Sequence, residues 1–298
     1  MTLAPIILFT YKRLDTLQLT VDALKKNYLA KDSDLIIFSD AAKTSKDQVA
    51  VNNVRTYLKT ISGFKSITIN EANTNKGLAN SIIDGVSLVL QQHESVIVLE
   101  DDLVSSPNFL NYMNEALSFY KNNTKIFSIA GFSIPVKNNK KLDIYFTQRS
   151  SSWSWATWRN RWEQIDWEVS DYDTFKNSSQ QKKAFNKMGS DMASMLHKQM
   201  TGKLDSWAIR WCYHQFKNNL FSVHPIISKI DNVGFTPDAT NTTQKFNRFK
   251  TILDQGNQTT FKFTNEVQLD SCLIKQFVKP FTITSRIKYK ILNSLFKP

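Results

Sequence analysis

The chain has 298 residues, 41% of them hydrophobic and 21% charged, a balance that excludes a disordered or low-complexity protein and leaves room for one large core or two moderate ones. No apolar run reaches the ~18 residues of a membrane-spanning helix, and Leu3 to Phe9 is too short, with no basic region ahead of it, to read as a secretory leader. The formal charge of +12 is uneven, since residues 201–298 carry 14 basic and 6 acidic side chains, which suits nucleic acid, an anionic membrane surface or a pyrophosphate-bearing substrate.

Ala4 to Thr10 is a continuous apolar run of the kind found in central parallel strands. Leu14 to Leu29 follows with a helical period, then Leu35 to Phe38 as a strand, Val49 to Ile61 as a helix, Phe64 to Ile69 as a strand and Gly77 to Leu90 as a helix. Val96 to Leu99 is a fourth strand, and it ends in three consecutive acids, Glu100, Asp101 and Asp102. Strand starts near 4, 35, 65 and 96 recur about every 30 residues, the length of a βαβ unit. The fold class expected is therefore α/β, a Rossmann-type, mostly parallel sheet flanked by helices, with ligands at the carboxyl ends of the strands.

Pro107 to Tyr120 reads as a helix and Ile126 to Ala130 as a fifth strand; after that the alternation stops. Residues 132–170 read as loops and short strands with five tryptophans, and Phe175 to Met200 as partly helical. Ser206 to Phe216 reads as a helix, His224 to Val233 as strand and turn, and 238–265 as a mobile polar loop. Cys212 and Cys272, without metal-type spacing, read as free thiols in a reducing cytoplasm.

Five groups can carry chemistry, and each has a plainer reading. The acids Glu100-Asp101-Asp102 after a buried strand call for positive charge, and carboxylate oxygens suit Mn2+ or Mg2+; an acidic, solvated turn is the alternative. Thr10, Tyr11 and Arg13, with Asp40 after the second strand, can stack on a base and accept from a base imide or ribose hydroxyl; a helix start and a turn aspartate explain them too. Asn75, Lys76 and Gly77 open a helix, where backbone N–H groups favour phosphate, as they also would in an ordinary turn. Trp153, Trp155 and Trp158 beside Arg149, Arg159 and Arg161 suit a sugar-stacking wall or a core. Asp205, ahead of Trp207, fits a helix cap as well as a base.

Taken in order, F-T-Y-K-R, I-F-S-D, N-K-G-L-A-N-S-I, V-L-E-D-D-L, S-W-A-T-W and G-K-L-D-S-W-A-I-R-W resemble bacterial GT-A glycosyltransferases of surface-polysaccharide loci, over roughly residues 4–235. More distantly they are similar to the N-acetylglucosaminyltransferase I group, which also carries an E-D-D-L metal motif, a counterpart of the DxD motif. The resemblance implies an inverting, metal-dependent hexosyl- or N-acetylhexosaminyltransferase, with a UDP-sugar favoured as donor and a lipid-linked glycan as acceptor in capsule or O-antigen assembly. Asp102 would be the metal ligand, with Glu100 and Asp101 near the ribose and donor sugar. Tyr11, Arg13 and Asp40 would hold the nucleotide, Asn75 and Lys76 would line the donor pocket, and Asp205 would be the general base. Thr10 and Gly77 belong to the same donor-binding turns, and Trp153, Trp155, Trp158 and Trp207 would form the sugar wall.

Two positions depart from the family pattern. Ser154 stands where relatives commonly have glycine, and Asn241-Thr242-Thr243 follow Gly234 where a histidine is often found, leaving His224 as a poor substitute for a second metal ligand. Residues 1–131 are expected to bind the nucleotide sugar, 132–270 to bind acceptor and perform catalysis, and 271–298 to form a basic tail. In that tail Ile287, Ile291, Leu292, Leu295 and Phe296 against Lys290 and Lys297 suit either an anionic membrane or docking on the protein's own core. Rival classes are a sugar-nucleotide pyrophosphorylase, disfavoured because no glycine precedes Gly63, and a non-catalytic glycan- or nucleic-acid-binding module.

Overall fold

The computed structural model describes residues 2–137, 142–235 and 246–295. Asn241, Thr242, Thr243, Phe296 and Lys297 lie outside the described residues. The strands are β1 (Ile6–Thr10), β2 (Asp34–Ser39), β3 (Ser66–Glu71), β4 (Ser95–Glu100), β5 (Leu103–Ser105), β6 (Ile126–Ala130), β7 (Ile144–Thr147), β8 (Trp155–Trp158), β9 (Phe221–Pro225) and β10 (Ile230–Asn232). The helices are α1 (Leu14–Lys25), α2 (Gln48–Leu58), α3 (Leu78–Leu90), α4 (Phe109–Tyr120), α5 (Arg159–Trp162), α6 (Tyr172–Asn177), α7 (Ser179–Phe185), α8 (Met192–Met200), α9 (Trp207–Lys217), α10 (Ser271–Phe277) and α11 (Ile283–Leu295).

Eight strands form one sheet in the order β3-β2-β1-β4-β8-β6-β9-β7, and β5 pairs with β10 separately. β3, β2, β1, β4, β6 and β9 run one way, and only β8 and β7 run against them. The α/β fold class expected from the alternating runs is the one observed. Every residue of β1 is buried, as a strand covered on both faces must be. The chain winds outward from β1 through β2 to β3, then crosses back to place β4 on the other side of β1. That reversal is the topological switch point where a crevice opens at the strand ends.

One face of the sheet is covered by α1, α2 and α4, whose Leu17, Val21, Val54, Leu58, Tyr112 and Met113 pack on Ile6, Leu8, Leu35 and Ile97. The other face is covered by α3 and α9, with Ile82, Val86, Trp207 and Trp211 against Ile7, Val96 and Val98. A third cluster, from Val169, Phe175, Phe185 and Leu196, builds α6–α8 onto the far side of α9.

Two expectations are corrected here. The first helix ends at Lys25, not Leu29, because Asn27 is drawn off to bond Ser105 and Leu110, and Tyr28 is left exposed. Within 238–265, the described part is irregular but anchored: the Phe249, Phe261 and Phe263 rings lie 5.5, 5.3 and 5.9 Å from Trp153, Tyr112 and Tyr120. In the segment expected as a basic tail, Leu273, Phe277 and Phe281 are buried in the main core.

Candidate functional site

The ends of β1, β2 and β4 are tied together before any side chain is considered. Asp40 N–H donates to the Thr10 carbonyl at 3.0 Å, and Glu100 lies opposite Phe9 in the β1–β4 ladder. Just past Glu100, the Asp101 carboxylate accepts from Thr10 Oγ1 at 2.8 Å and from Tyr11 N–H at 3.1 Å. Asp102 turns the other way and pairs with Arg13 at 3.1 Å. The chain then re-enters as β5, a short strand that sequence reasoning leaves inside the turn.

These three carboxyls are short of positive charge. Burial, then the charges of Asp102 and Asp101, push Glu100 well above the usual carboxylate range. Burial, reinforced by Asp102, raises Asp101 to about 6. Asp102 is raised by burial too, although Arg13 pulls against it. A buried cluster of acids with one guanidinium is stabilised by a further cation, and oxygen donors of this kind suit magnesium or manganese. Among the described residues no group of three acidic, histidine or cysteine side chains converges as a closed metal cage. The oxygens of this cluster suit a hard divalent ion of the kind that takes only one or two protein carboxylates.

The turn before α3 forms the second wall. Gly77 caps the helix with φ +73, a left-handed conformation that favours glycine. Asp40 grips this turn through both oxygens. One accepts from Ala41 N–H at 2.8 Å and Lys76 N–H at 2.9 Å; the other accepts from Asn75 Nδ2 and Gly77 N–H, both at 3.0 Å. Asp40 thus organises the turn and has no oxygen left over for a base. Lys76 bonds Asp84 at 2.7 Å across the exposed start of α3. The Tyr11 hydroxyl accepts from Lys43 N–H at 2.9 Å, and burial raises its pKa.

Asp205 reaches the same wall. A Cβ on Gly77 would lie 3.6 Å from its Oδ2, so the exposed Asp205 carboxylate stands beside the turn that Asp40 holds. It does not cap α9: Ser206 does, accepting from Ile209 N–H at 3.3 Å. The helix-cap reading of Asp205 is therefore replaced by an adjacent serine. Hydrogen bonds run from Gly77 through Asp40 and Thr10 to Asp101, whose neighbour Asp102 pairs with Arg13, and Asp205 stands beside Gly77 at one end of this row.

Two hollows adjoin this rim. One of about 200 Å3 is lined by Phe38, Asp40, Glu71, Lys76, Asp84 and Gly85. The other, about 600 Å3 and more open, is lined by Lys12, Arg13, Gln18, Lys46 and Asp47.

The tryptophans are a correction. Trp155, Trp158 and Trp207 are buried, and Trp155 lies stacked on Trp162 at 5.5 Å and edge-on to Trp211 at 4.0 Å. Rings enclosed on both faces have none to offer a sugar, so these three are core; only Trp153 is partly exposed. His224 is also structural, sealed in β9 with its two ring nitrogens on the carbonyls of Phe132 and Arg149 at 3.0 and 3.3 Å. Cys212 and Cys272 are both free thiols.

Sequence reasoning misses Gly234 as a site residue. The β5–β10 pairing carries it across Asp102, where Val233 N–H donates to the Asp102 carbonyl at 2.9 Å and Arg13 reaches the Gly234 carbonyl at 3.5 Å. A lone glycine after a short polar strand is the only signal for this in the sequence.

A strand-end carboxylate cluster thus lies at the switch point, near a glycine-opened helix. Residues 6–189 match the family model of Glycosyl transferase family 2. The chain belongs to that family. The chain has no match among curated proteins. Among solved structures it is similar to the mannosyltransferase PcManGT from Pyrobaculum calidifontis, in complex with GDP-Man and Mn2+, at 14% identity and a TM-score of 0.37, over 55% of this chain and 46% of that one. It is also similar to S. aureus TarS, at 14% identity and a TM-score of 0.32, over 48% of this chain and 24% of that one. For TarS 1-349 the values are 12% identity, a TM-score of 0.33, and 57% and 49% coverage. The match thus spans less than half the length of each of these chains.

Proposed function

We propose that this glycosyltransferase is metal-dependent and inverting. Its donor would be a nucleoside-diphosphate sugar, with UDP-sugars favoured, and its acceptor a glycan carried on a lipid pyrophosphate in bacterial capsule or O-antigen assembly. The observation that carries the reading is Asp205: an exposed carboxylate, not spent on a helix cap, on the same rim as the Glu100–Asp102 cluster.

Residues 1–131 bind the donor in this scheme, and 132–270 bring the acceptor and the base. Tyr11 and Arg13 hold the nucleotide, while Asp40 acts by fixing Asn75, Lys76 and Gly77 against it. Thr10 keeps Asp101 in place beside the ribose and donor sugar, with Glu100 behind it. Trp153 is the one aromatic of the expected wall with surface to offer. Asp102 would hold Mn2+ or Mg2+, whose charge would offset that developing on the departing diphosphate. Asp205 takes the proton from the acceptor hydroxyl as its oxygen bonds the anomeric carbon, and the bond from that carbon to the diphosphate breaks with its electron pair leaving on the phosphate oxygen.

Asp205→Asn tests the reading. Turnover should fall by roughly 10²- to 10⁴-fold while calorimetric donor affinity stays unchanged. Normal turnover in the variant removes Asp205 from the mechanism, and a product with retained anomeric configuration by NMR rejects single displacement.

A further inference from the structure

Helix α11 carries a feature the donor site does not need. Ile283, Ile287, Ile291 and Leu295 recur at every fourth position, so they form one ridge along the helix. Their exposures are 61, 53, 52 and 72%, and no residue of the helix is buried. An apolar ridge this long is seldom left in water without a partner surface.

The ridge is turned outward by contacts on the opposite side. Arg286 donates to Ser190 Oγ at 3.0 Å, and Asn293 is bonded to Phe246 through both backbone groups, accepting from N–H at 2.8 Å and donating to the carbonyl at 3.2 Å. Arg286 and Asn293 lie two turns apart on one face, with Tyr289 between them, and that face is the half-buried one. Docking of the ridge on the protein's own core, one of the two readings open from the sequence, is therefore not what the structure shows.

Charge decides what fits. At 100° per residue, Lys288 falls on one flank of the ridge and Lys290 on the other, both exposed. No acidic residue occurs in the sequence after Asp270. An apolar strip between lysines, on a helix that carries no acidic residue of its own, is the pattern of a helix lying in an anionic lipid interface. No described helix is long and apolar enough to cross a membrane, so the contact would be one of lying on it.

We infer that α11 docks this protein on an anionic phospholipid surface through Ile283, Ile287, Ile291 and Leu295, with Lys288 and Lys290 facing the headgroups. The purpose of such docking rests on the reading of a lipid-carried acceptor, but its test does not, because binding is read without donor, acceptor or metal.

The experiment is co-sedimentation of the full chain with phosphatidylcholine vesicles with and without phosphatidylglycerol. The wild type should pellet with the anionic vesicles and lose most of that binding at 0.5 M salt. Ile287→Asp/Ile291→Asp should lower the partition coefficient by about tenfold or more, and Lys288→Glu/Lys290→Glu should do so chiefly at low salt. Both pairs are exposed, so unchanged circular dichroism and an unchanged thermal midpoint are expected. Equal pelleting of wild type and the Asp variant overturns the proposal. So does a concentration-dependent dimer that the Asp variant abolishes while vesicle binding is absent, which would make a second copy the occupant.

Discussion

Gly234 passes so close to Asp102 that a Cβ on it would lie 2.0 Å from the Asp102 Oδ2 and 3.0 Å from Arg13 Nη2. The approach is enforced by the β5–β10 ladder, which ends at Leu103 and Asn232 and delivers the next residues directly over the carboxylate. A side chain here must displace Asp102, Arg13 or the strand itself. Gly234→Ala should therefore weaken manganese-supported donor binding by roughly 10- to 100-fold, the order expected when a binding group moves by about an ångström. Calorimetry with the nucleotide sugar measures this, and an unchanged affinity would mean that Asp102 does not hold the ion.

Asp40 should resist even the mildest replacement. Its two oxygens accept from four donors in the Asp40–Gly77 region. Asparagine has the same shape but only one accepting atom, so its amide N–H2 would face a donor whichever way it is turned. Asp40→Asn should cost about 2 kcal/mol in urea unfolding, close to Asp40→Ala, and should loosen donor binding as the Asn75–Gly77 turn relaxes. A silent Asp40→Asn would show that the carboxylate does not organise this turn.

Ser154 offers a gain in stability. It has φ +54, in the left-handed region, and its hydroxyl is buried with no hydrogen-bond partner among the described residues. Glycine adopts that backbone freely and removes the stranded hydroxyl, at the cost of a more flexible unfolded chain. Ser154→Gly should stabilise the protein by ~1 kcal/mol, with Ser154→Ala gaining less because it keeps a Cβ in the strained conformation. Equilibrium urea melts rank the three, and a destabilised glycine variant would show that packing around the Ser154 side chain outweighs the strain.

The contrast between Ser154 and Trp155 shows what a sequence can disclose. The strands of the first half, and the acids at the end of β4, are legible because apolar runs and strand-end polarity are local properties. Asp205 was legible as a residue type, but its freedom from capping depended on Ser206 taking that role. The tryptophans were misread because stacking on sugar and packing in a core use the same rings. Only the arrival of α9, with Trp207 and Trp211 closing over Trp155 at 5.0 and 4.0 Å, decides between them. Gly234 leaves no signal beyond a lone glycine after a short polar strand, since its place over Asp102 arises from a three-residue ladder between strands far apart in the chain.

His224 sets an acid limit on stability. Burial pushes its imidazole down to about 4, outweighing two carbonyl oxygens that would each accept a proton from the ring. In the unfolded chain the ring takes up a proton near its ordinary pKa of 6.5. Between these values the unfolded state binds more protons than the native one, so His224's contribution is intact above pH 6.5 and fades as pH falls toward 4. The full loss is about 3 kcal/mol. Asp101, raised to about 6, works in the opposite direction, so the informative quantity is the difference between wild type and His224→Gln. Urea melts from pH 7 to pH 4.5 should show wild type losing stability relative to the variant, and a histidine NMR titration should find this ring neutral at pH 5. A difference that stays flat with pH would mean that the native ring takes up its proton over the same range as the unfolded chain, so that burial does not hold it neutral.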